Sequence, residues 1–307
     1  MVVFHGFDDL RPLPRPAAVA VGNFDGLHLG HRKILARLCG LARSRDLVPL
    51  VLTFDPHPER ALGKKAVLMI DSPDQRLARL EGSCVEAVLV TRFDRTFSGL
   101  TARDFAERVL SGRLRAREVV VGRDFRFGRD RRGDVDFLRR QGRRLGFGVH
   151  AVAPRLVGGV PARSSLIRRL LAEGRVEEAA RLLGRPYEIA GRVRSGAARG
   201  RRLGAPTANL ETANEILPDG VFVSETVWKG RALPSVTSIG TNPTFGRNPV
   251  SVETHILDRR LDLRGATITV RLLRKLRPTG KFADAEALAA RIRKDVAEAR
   301  AHFARTG

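Results

Sequence analysis

A chain of 307 residues with 43% apolar content is long for one hydrophobic core and comfortable for two. No apolar run approaches the length that spans a bilayer, and the first residues lack the basic region and apolar core of a secretion signal, so a cytoplasmic location and no membrane partner are expected. The formal charge is +23, but Lys holds seven positions and Arg the other 49, aromatics are only 6%, and no RNA-binding signature accompanies the arginines. A solvated basic surface with small anionic substrates is therefore favoured over a specific nucleic-acid partner.

In chain order, residues 17 to about 152 alternate apolar runs with amphipathic stretches. Strands are predicted at 17–22, 48–53, 85–90, 117–121 and 147–152, and helices at 30–43, 73–81, 102–111 and 134–145. Ser72 before Pro73, and Thr101 with Asp104 three residues on, are helix start signals. The alternation predicts a mostly parallel sheet covered on both faces, with ligands beyond the carboxyl ends of its strands. The first of these strands runs into Gly22-Asn23-Phe24-Asp25-Gly26-Leu27-His28-Leu29-Gly30-His31, followed by the helical stripe Ile34, Leu35, Leu38 and Leu41. A strand-to-helix turn of this kind presents backbone N–H groups, the positive end of a helix dipole and two imidazoles to a phosphate. Thr53-Phe54-Asp55-Pro56-His57-Pro58 and Gly122-Arg123-Asp124-Phe125-Arg126-Phe127-Gly128 follow two other strands. Three unusual loops at one sheet edge point to a shared pocket. Cys39 and Cys84 are the only cysteines and lack metal-ligand spacing, which predicts buried free thiols and no zinc site.

Arg163-Ser164-Ser165-Leu166-Ile167-Arg168 opens the next helix; a serine N-cap and an anion site both fit these residues. At Leu183-Gly184-Arg185-Pro186 the helical periodicity ends. β-prone runs follow at Tyr187–Val193, Val221–Trp228, Ser235–Ile239, Val250–Leu257 and Thr267–Leu273, which predicts a small antiparallel barrel. An amphipathic helix with the stripe Leu288, Ile292, Val296, Ala299 and Phe303 ends the chain. The expected division is residues 1–183 and 184–307. The second part carries Gly200-Arg201-Arg202-Leu203-Gly204-Ala205-Pro206-Thr207-Ala208-Asn209, a loop suited to polyphosphate. Thr207 and Asn209 are two apart and share a strand face, as oxygen ligands of Mg²⁺ would. Glu253 stands in an apolar strand, either as a base toward an alcohol or as an ordinary solvent-facing residue.

Taken together these segments, with Gly240-Thr241-Asn242-Pro243-Thr244-Phe245-Gly246 and Val252-Glu253-Thr254-His255-Ile256-Leu257-Asp258, resemble the bacterial bifunctional riboflavin kinase/FMN adenylyltransferase family over nearly the full length. The resemblance implies an N-terminal Rossmann-like adenylyltransferase domain and a C-terminal kinase barrel. It implies ATP, riboflavin and FMN as substrates, Mg²⁺ as cofactor, and no partner beyond weak self-association. In the first domain His28 and His31 would bind the ATP phosphates and the reacting α-phosphate. Gly22, Asn23, Phe24, Asp25, Gly26 and Gly30 would shape that loop, and Asp124 would lie near the nucleotide. Ser164, Ser165 and Arg168 would hold the departing pyrophosphate; Phe54, Pro56, His57, Pro58 and Phe127 would line the flavin site. In the second domain Gly200, Arg201, Gly204, Thr207 and Asn209 would bind ATP, the last two through Mg²⁺, and Glu253 would take the proton of the ribityl 5′-hydroxyl. The family's Ser-Ser-Thr is Arg163-Ser164-Ser165 here, its Gly-Val-Tyr is Gly220-Val221-Phe222, and its Asp-Leu-Tyr-Gly is Asp262-Leu263-Arg264-Gly265. Two other classes compete: a nucleotidyltransferase for a pantetheine or nucleotide precursor, against which Thr207, Asn209 and Glu253 argue, and a basic RNA-interaction protein.

Overall fold

A computed structural model describes residues 1–63, 67–194, 206–241, 250–259 and 261–306. Its contacts divide the chain into two compact units, Met1–Leu68 with Pro73–Ala162, and Met69–Ser72 with Arg163–Gly307.

In the first unit β1 (Val2–His5), β2 (Ala17–Val21), β3 (Val48–Asp55), β4 (Ala87–Arg92), β5 (Ala116–Gly122) and β6 (Gly148–Val152) make one sheet in the order β1-β4-β3-β2-β5-β6, every neighbouring pair parallel. All five residues of β2 are buried, as a central parallel strand requires. Its side chains alternate between two cores: Ala18 and Ala20 meet Leu35 and Leu38 of α1 (Leu29–Ser44), while Val19 and Val21 join a larger core on the opposite face. That larger core collects ten of the fifteen phenylalanines. Further helices are α2 (Pro58–Ala61), α3 (Pro73–Glu81), α4 (Arg95–Gly99), α5 (Ala102–Asp104) and α6 (Val135–Leu145), with a short hairpin of β7 (Leu156–Val157) and β8 (Val160–Pro161).

Helix 73–81 falls where its pattern placed it, but the helix expected at 102–111 is α5 followed by a π-helical segment, Phe105–Arg113. The Thr101 signal is used: its hydroxyl accepts the Asp104 N–H at 3.0 Å and donates to the Asp104 carboxylate at 2.6 Å. The expectation of free thiols is corrected. Cys39 on α1 and Cys84 just before β4 are joined in a disulfide, 45 residues apart in sequence. Spacing tests for metal ligands carry no signal for such a pair, which only the packing of α1 beside the β4 approach brings together.

In the second unit α7 (Ser164–Ala172) and α8 (Val176–Leu183) precede a closed antiparallel barrel. Its strands β9 (Tyr187–Arg194), β10 (Ala208–Thr212), β11 (Gly220–Trp228), β12 (Arg231–Gly240), β13 (Ser251–Ile256) and β14 (Thr267–Arg277) pair in the order β10-β13-β12-β11-β14-β9. The final helix α9 (Ala285–Thr306) covers one outer face: Val296, Ala299 and Phe303 pack on Val221, Val223 and Val236. Asp295, 2% exposed, anchors it through Arg277 of β14 at 2.8 Å and pairs within the helix with Arg291 at 3.0 Å. The barrel interior holds a polar cluster among its apolar residues. Ser224, Thr226, Ser235, Thr237 and Thr254 are buried and joined by hydroxyl–hydroxyl bonds of 2.7–3.1 Å. The expected combination of parallel sheet, antiparallel barrel and terminal helix is the one observed.

Candidate active sites

The strand order reverses between β2 and β5, so the crevice of the first unit lies beyond their carboxyl ends. The loops after β2 and β5 are the His-x-Gly-His turn and Gly122–Gly128; the third predicted loop leaves the adjacent β3. In the first of these, Phe24, Gly26 and Leu27 all have positive φ (49°, 81° and 35°), a strained run for two non-glycine residues of the kind that clusters at functional sites. His28 is the N-cap of α1, and its Nδ1 accepts the N–H groups of Gly30 (3.1 Å) and His31 (3.3 Å). With Nδ1 an acceptor, Nε2 carries the proton in the neutral ring. The His31 ring stacks on it at 3.7 Å. Gly30 is required for this approach: a Cβ there would stand 2.9 Å from the His28 ring and 2.9 Å from the Ala162 carbonyl oxygen.

The turn and the 53–58 loop are tied together. Asn23 Nδ2 meets His57 Nε2 at 2.8 Å, and the Thr53 hydroxyl donates to the Asn23 carbonyl at 3.1 Å. His57 also caps α2 through the Glu59 N–H. Phe54 and Phe127 belong to the phenylalanine-rich core, where Phe93, Phe97 and Phe125 join them. Phe125 stacks on Phe127 at 5.3 Å, and the Phe93 and Phe97 rings stand 5.5 and 5.6 Å from Phe54. Phe125 belongs to the predicted 122–128 loop; Phe93 and Phe97, both partly exposed, were missed in the sequence, although Phe93 follows β4 at the same sheet edge as the three predicted loops. Pro56 and Asp124 are exposed, and Pro58 is half-buried.

Ser164, Ser165 and Arg168 lie on α7 of the second unit. Neither serine is the N-cap: that position belongs to Arg163, whose side chain makes no capping bond. The two hydroxyls instead stand on the first turn itself, one half-buried and one exposed.

In the barrel, Asn209 of β10 lies directly opposite Glu253 of β13, and the Thr207 hydroxyl donates to Glu253 Oε2 at 3.3 Å. Ser251 donates to the other carboxylate oxygen at 3.4 Å. Thr254 points inward to the hydroxyl cluster, so its neighbour Glu253 faces the outer side of the sheet, where Thr207 and Asn209 also stand. All three are half-buried. The predicted Gly200, Arg201 and Gly204, and residues 242–246 of the glycine-threonine-asparagine segment, lie outside the described residues. Gly220-Val221-Phe222 starts β11, with Phe222 fully buried in the barrel, while Arg264 pairs locally with Asp262 at 2.6 Å; neither departure removes a group from the Thr207–Glu253 cluster.

A His-x-Gly-His turn at the switch point of a parallel sheet, joined in one chain to a barrel with an oxygen-rich cluster, fits a nucleotidyltransferase fused to a small-molecule kinase. Comparison with known proteins gives the pair its substrates. The FAD synthetase family model matches residues 10–166 and the riboflavin kinase model residues 183–303. The bifunctional riboflavin kinase/FMN adenylyltransferase of Escherichia coli (strain K12) is 37% identical over 310 residues, covering 100% of this chain and 99% of that protein. That of Pseudomonas fluorescens is 37% identical over 98% of this chain and 97% of its own length. The crystal structure of a macrolide-efflux protein from Streptococcus pneumoniae superposes with a TM-score of 0.86 at 29% identity, covering 98% and 99% of the two chains. The chain belongs to the bifunctional riboflavin kinase/FMN adenylyltransferase family: one domain phosphorylates riboflavin to FMN with ATP, the other adenylylates FMN to FAD and releases pyrophosphate.

Proposed function

We propose that the two reactions use separate sites, adenylyl transfer within residues 1–183 and phosphorylation within 184–307. The observation that carries this assignment is the pair of constellations on two compact units: stacked imidazoles at the mouth of α1, and Thr207, Asn209 and Glu253 side by side on the barrel. In adenylyl transfer an FMN phosphate oxygen attacks the α-phosphorus of ATP in line; the new P–O bond forms as the bond to pyrophosphate breaks. The nucleophile arrives with its substrate, so the protein supplies donors. His28 Nε2, His31 and the first N–H groups of α1 stabilise the charge gathered on the α-phosphate. Asn23, Asp25 and the glycines hold the turn, Asp124 lies toward the nucleotide, and Phe54, Pro56, His57, Pro58 and Phe127 receive the flavin. Ser164, Ser165 and Arg168 are assigned to the pyrophosphate, a role that fits hydroxyls on a helix first turn.

In the kinase step the ribityl 5′-hydroxyl attacks the γ-phosphorus of ATP, its proton passes to the Glu253 carboxylate, and ADP leaves. The oxygens of Thr207 and Asn209, gathered beside that carboxylate, fit a hard divalent cation and would hold Mg²⁺ together with phosphate oxygens. When bound, the ion neutralises charge on the transferred phosphoryl group. Gly200, Arg201 and Gly204 are assigned to the same nucleotide. Both reactions consume ATP, which supports a cytoplasmic location, and their substrates are small molecules. Incubation with riboflavin, ATP and Mg²⁺, followed by separation of the flavins, tests the division. FMN should appear first and FAD after it, and His31→Ala should stop at FMN. FAD formation at the wild-type rate by that variant would refute the first site, and loss of both products at once would refute two separate sites.

A further inference from the structure

Arg76, on α3, is only 4% exposed. Its Nη1 donates to the Phe54 carbonyl at 3.3 Å, its Nε has no hydrogen-bond partner, and among the described residues no carboxylate lies within ion-pair distance. The chain treats its other withdrawn arginines differently: Arg185 is paired with Asp71 at 3.1 Å, and Arg277 with Asp295 at 2.8 Å. A guanidinium taken out of water with one long bond to a carbonyl is a costly arrangement, and it persists where a counter-ion arrives from outside the chain.

The position of Arg76 narrows that counter-ion. Phe54 is the residue at which β3 passes into the loop assigned to the flavin, one strand away from the His28 turn on β2. Adenylyl transfer brings two phosphate-bearing molecules to this sheet edge. The phosphates of ATP are met by His28, His31 and the mouth of α1, on the β2 side. The anion left over is the phosphate of FMN, which has to lie between the flavin loop and the α-phosphate it attacks. We infer that Arg76 binds the phosphate of the flavin substrate and so selects FMN over unphosphorylated riboflavin at the adenylyl site. This rests on the assignment of the 54–58 loop to the flavin.

Two substitutions separate charge from loop support in the full-length chain. Arg76→Gln keeps a donor for the Phe54 carbonyl but removes the charge; Arg76→Lys keeps the charge. With FMN and ATP as substrates, Arg76→Gln should raise the KM for FMN by roughly tenfold or more and leave the KM for ATP within about twofold, while Arg76→Lys stays within about threefold of wild type for both. FMN formation from riboflavin should be unchanged in both. If Arg76→Gln does not accumulate as folded protein, Arg76→Met, which buries no polar atom, carries the same readouts. An unchanged KM for FMN in the charge-free variant overturns the assignment, as does an equal rise for FMN and ATP, or an equal rise in the Lys and Gln variants, which would mark a loop support only. If wild-type protein converts no FMN to FAD, the site reading itself fails; if it does and Arg76→Gln matches it, only the role of Arg76 falls.

Discussion

His28 does two things that substitution can separate. Its Nδ1 caps α1 by accepting the Gly30 and His31 N–H groups, and its other nitrogen is the donor proposed for the reacting phosphate. Asn is among the best N-cap residues, so His28→Asn should keep the cap and lose the donor, whereas His28→Ala loses both. An Ala at a cap costs about 0.5–2 kcal/mol, and each kcal/mol shifts the melting temperature of a unit of this size by about 2–4 °C. Loss of one donor to a developing anionic centre costs about 10²–10³ in rate. Both variants should therefore lose about 10²–10³ in FAD formation from FMN and ATP, and only the Ala variant should melt several degrees lower. Riboflavin phosphorylation, measured in the same preparations, should not change. Wild-type FAD formation by His28→Asn would mean the ring is a cap and nothing more.

Three further outcomes follow from the geometry. Glu253→Gln should lower FMN formation about 10²-fold or more and leave conversion of supplied FMN to FAD intact; unaltered phosphorylation would end its role as base. Thr254→Val keeps the side-chain volume but strips the hydroxyl that meets Thr226 at 3.1 Å and Thr237 at 2.9 Å, which should cost about 2–3 kcal/mol in denaturant unfolding of the barrel; a loss under about 0.5 kcal/mol would show that the cluster re-pairs without it. The Cys39–Cys84 bond closes a loop of 45-residue separation, for which chain entropy predicts up to about 4 kcal/mol, so reductant should lower the melting temperature of the first unit and leave a Cys39→Ser/Cys84→Ser double variant unaffected. Equal melting with and without reductant would refute it.

The elements that carry the sites were legible because local pattern and tertiary demand agree there. Ala17–Val21 is apolar throughout and is buried on both faces; Thr101 and Asp104 announce a helix start and use it. What escaped had side chains that mean one thing locally and another in three dimensions. Ser224, Thr226, Ser235 and Thr237 read as water-facing alternation in β-prone runs, yet the barrel turns them inward, where they satisfy one another. Arg76 reads as the polar side of a short helix and is buried. Phe93 and Phe97 join Phe125 of the predicted 122–128 loop only because β4 and β5 end at the same edge of one sheet. Ser164 and Ser165 satisfy the cap composition rule, but the chain enters α7 one residue earlier, at Arg163.

The two sites face the same problem, an anionic phosphorus centre, with opposite starting charge. At the switch point of the sheet the groups proposed to ligate are N–H donors from the backbone and from imidazoles, which attract a phosphate directly; the α1 cap and the Asn23–His57 bond hold the turn that carries them. On the barrel the described groups are a hydroxyl, an amide oxygen and a carboxylate, a set that by itself repels a triphosphate. Such a set becomes a nucleotide site only with a cation between it and the phosphates, and the carboxylate is then free to serve the incoming alcohol instead of the nucleotide. The chemistry follows the same division. A phosphate nucleophile needs no deprotonation, so no base is asked of the sheet site; an alcohol does need it, and Glu253 stands beside the proposed metal ligands to provide it.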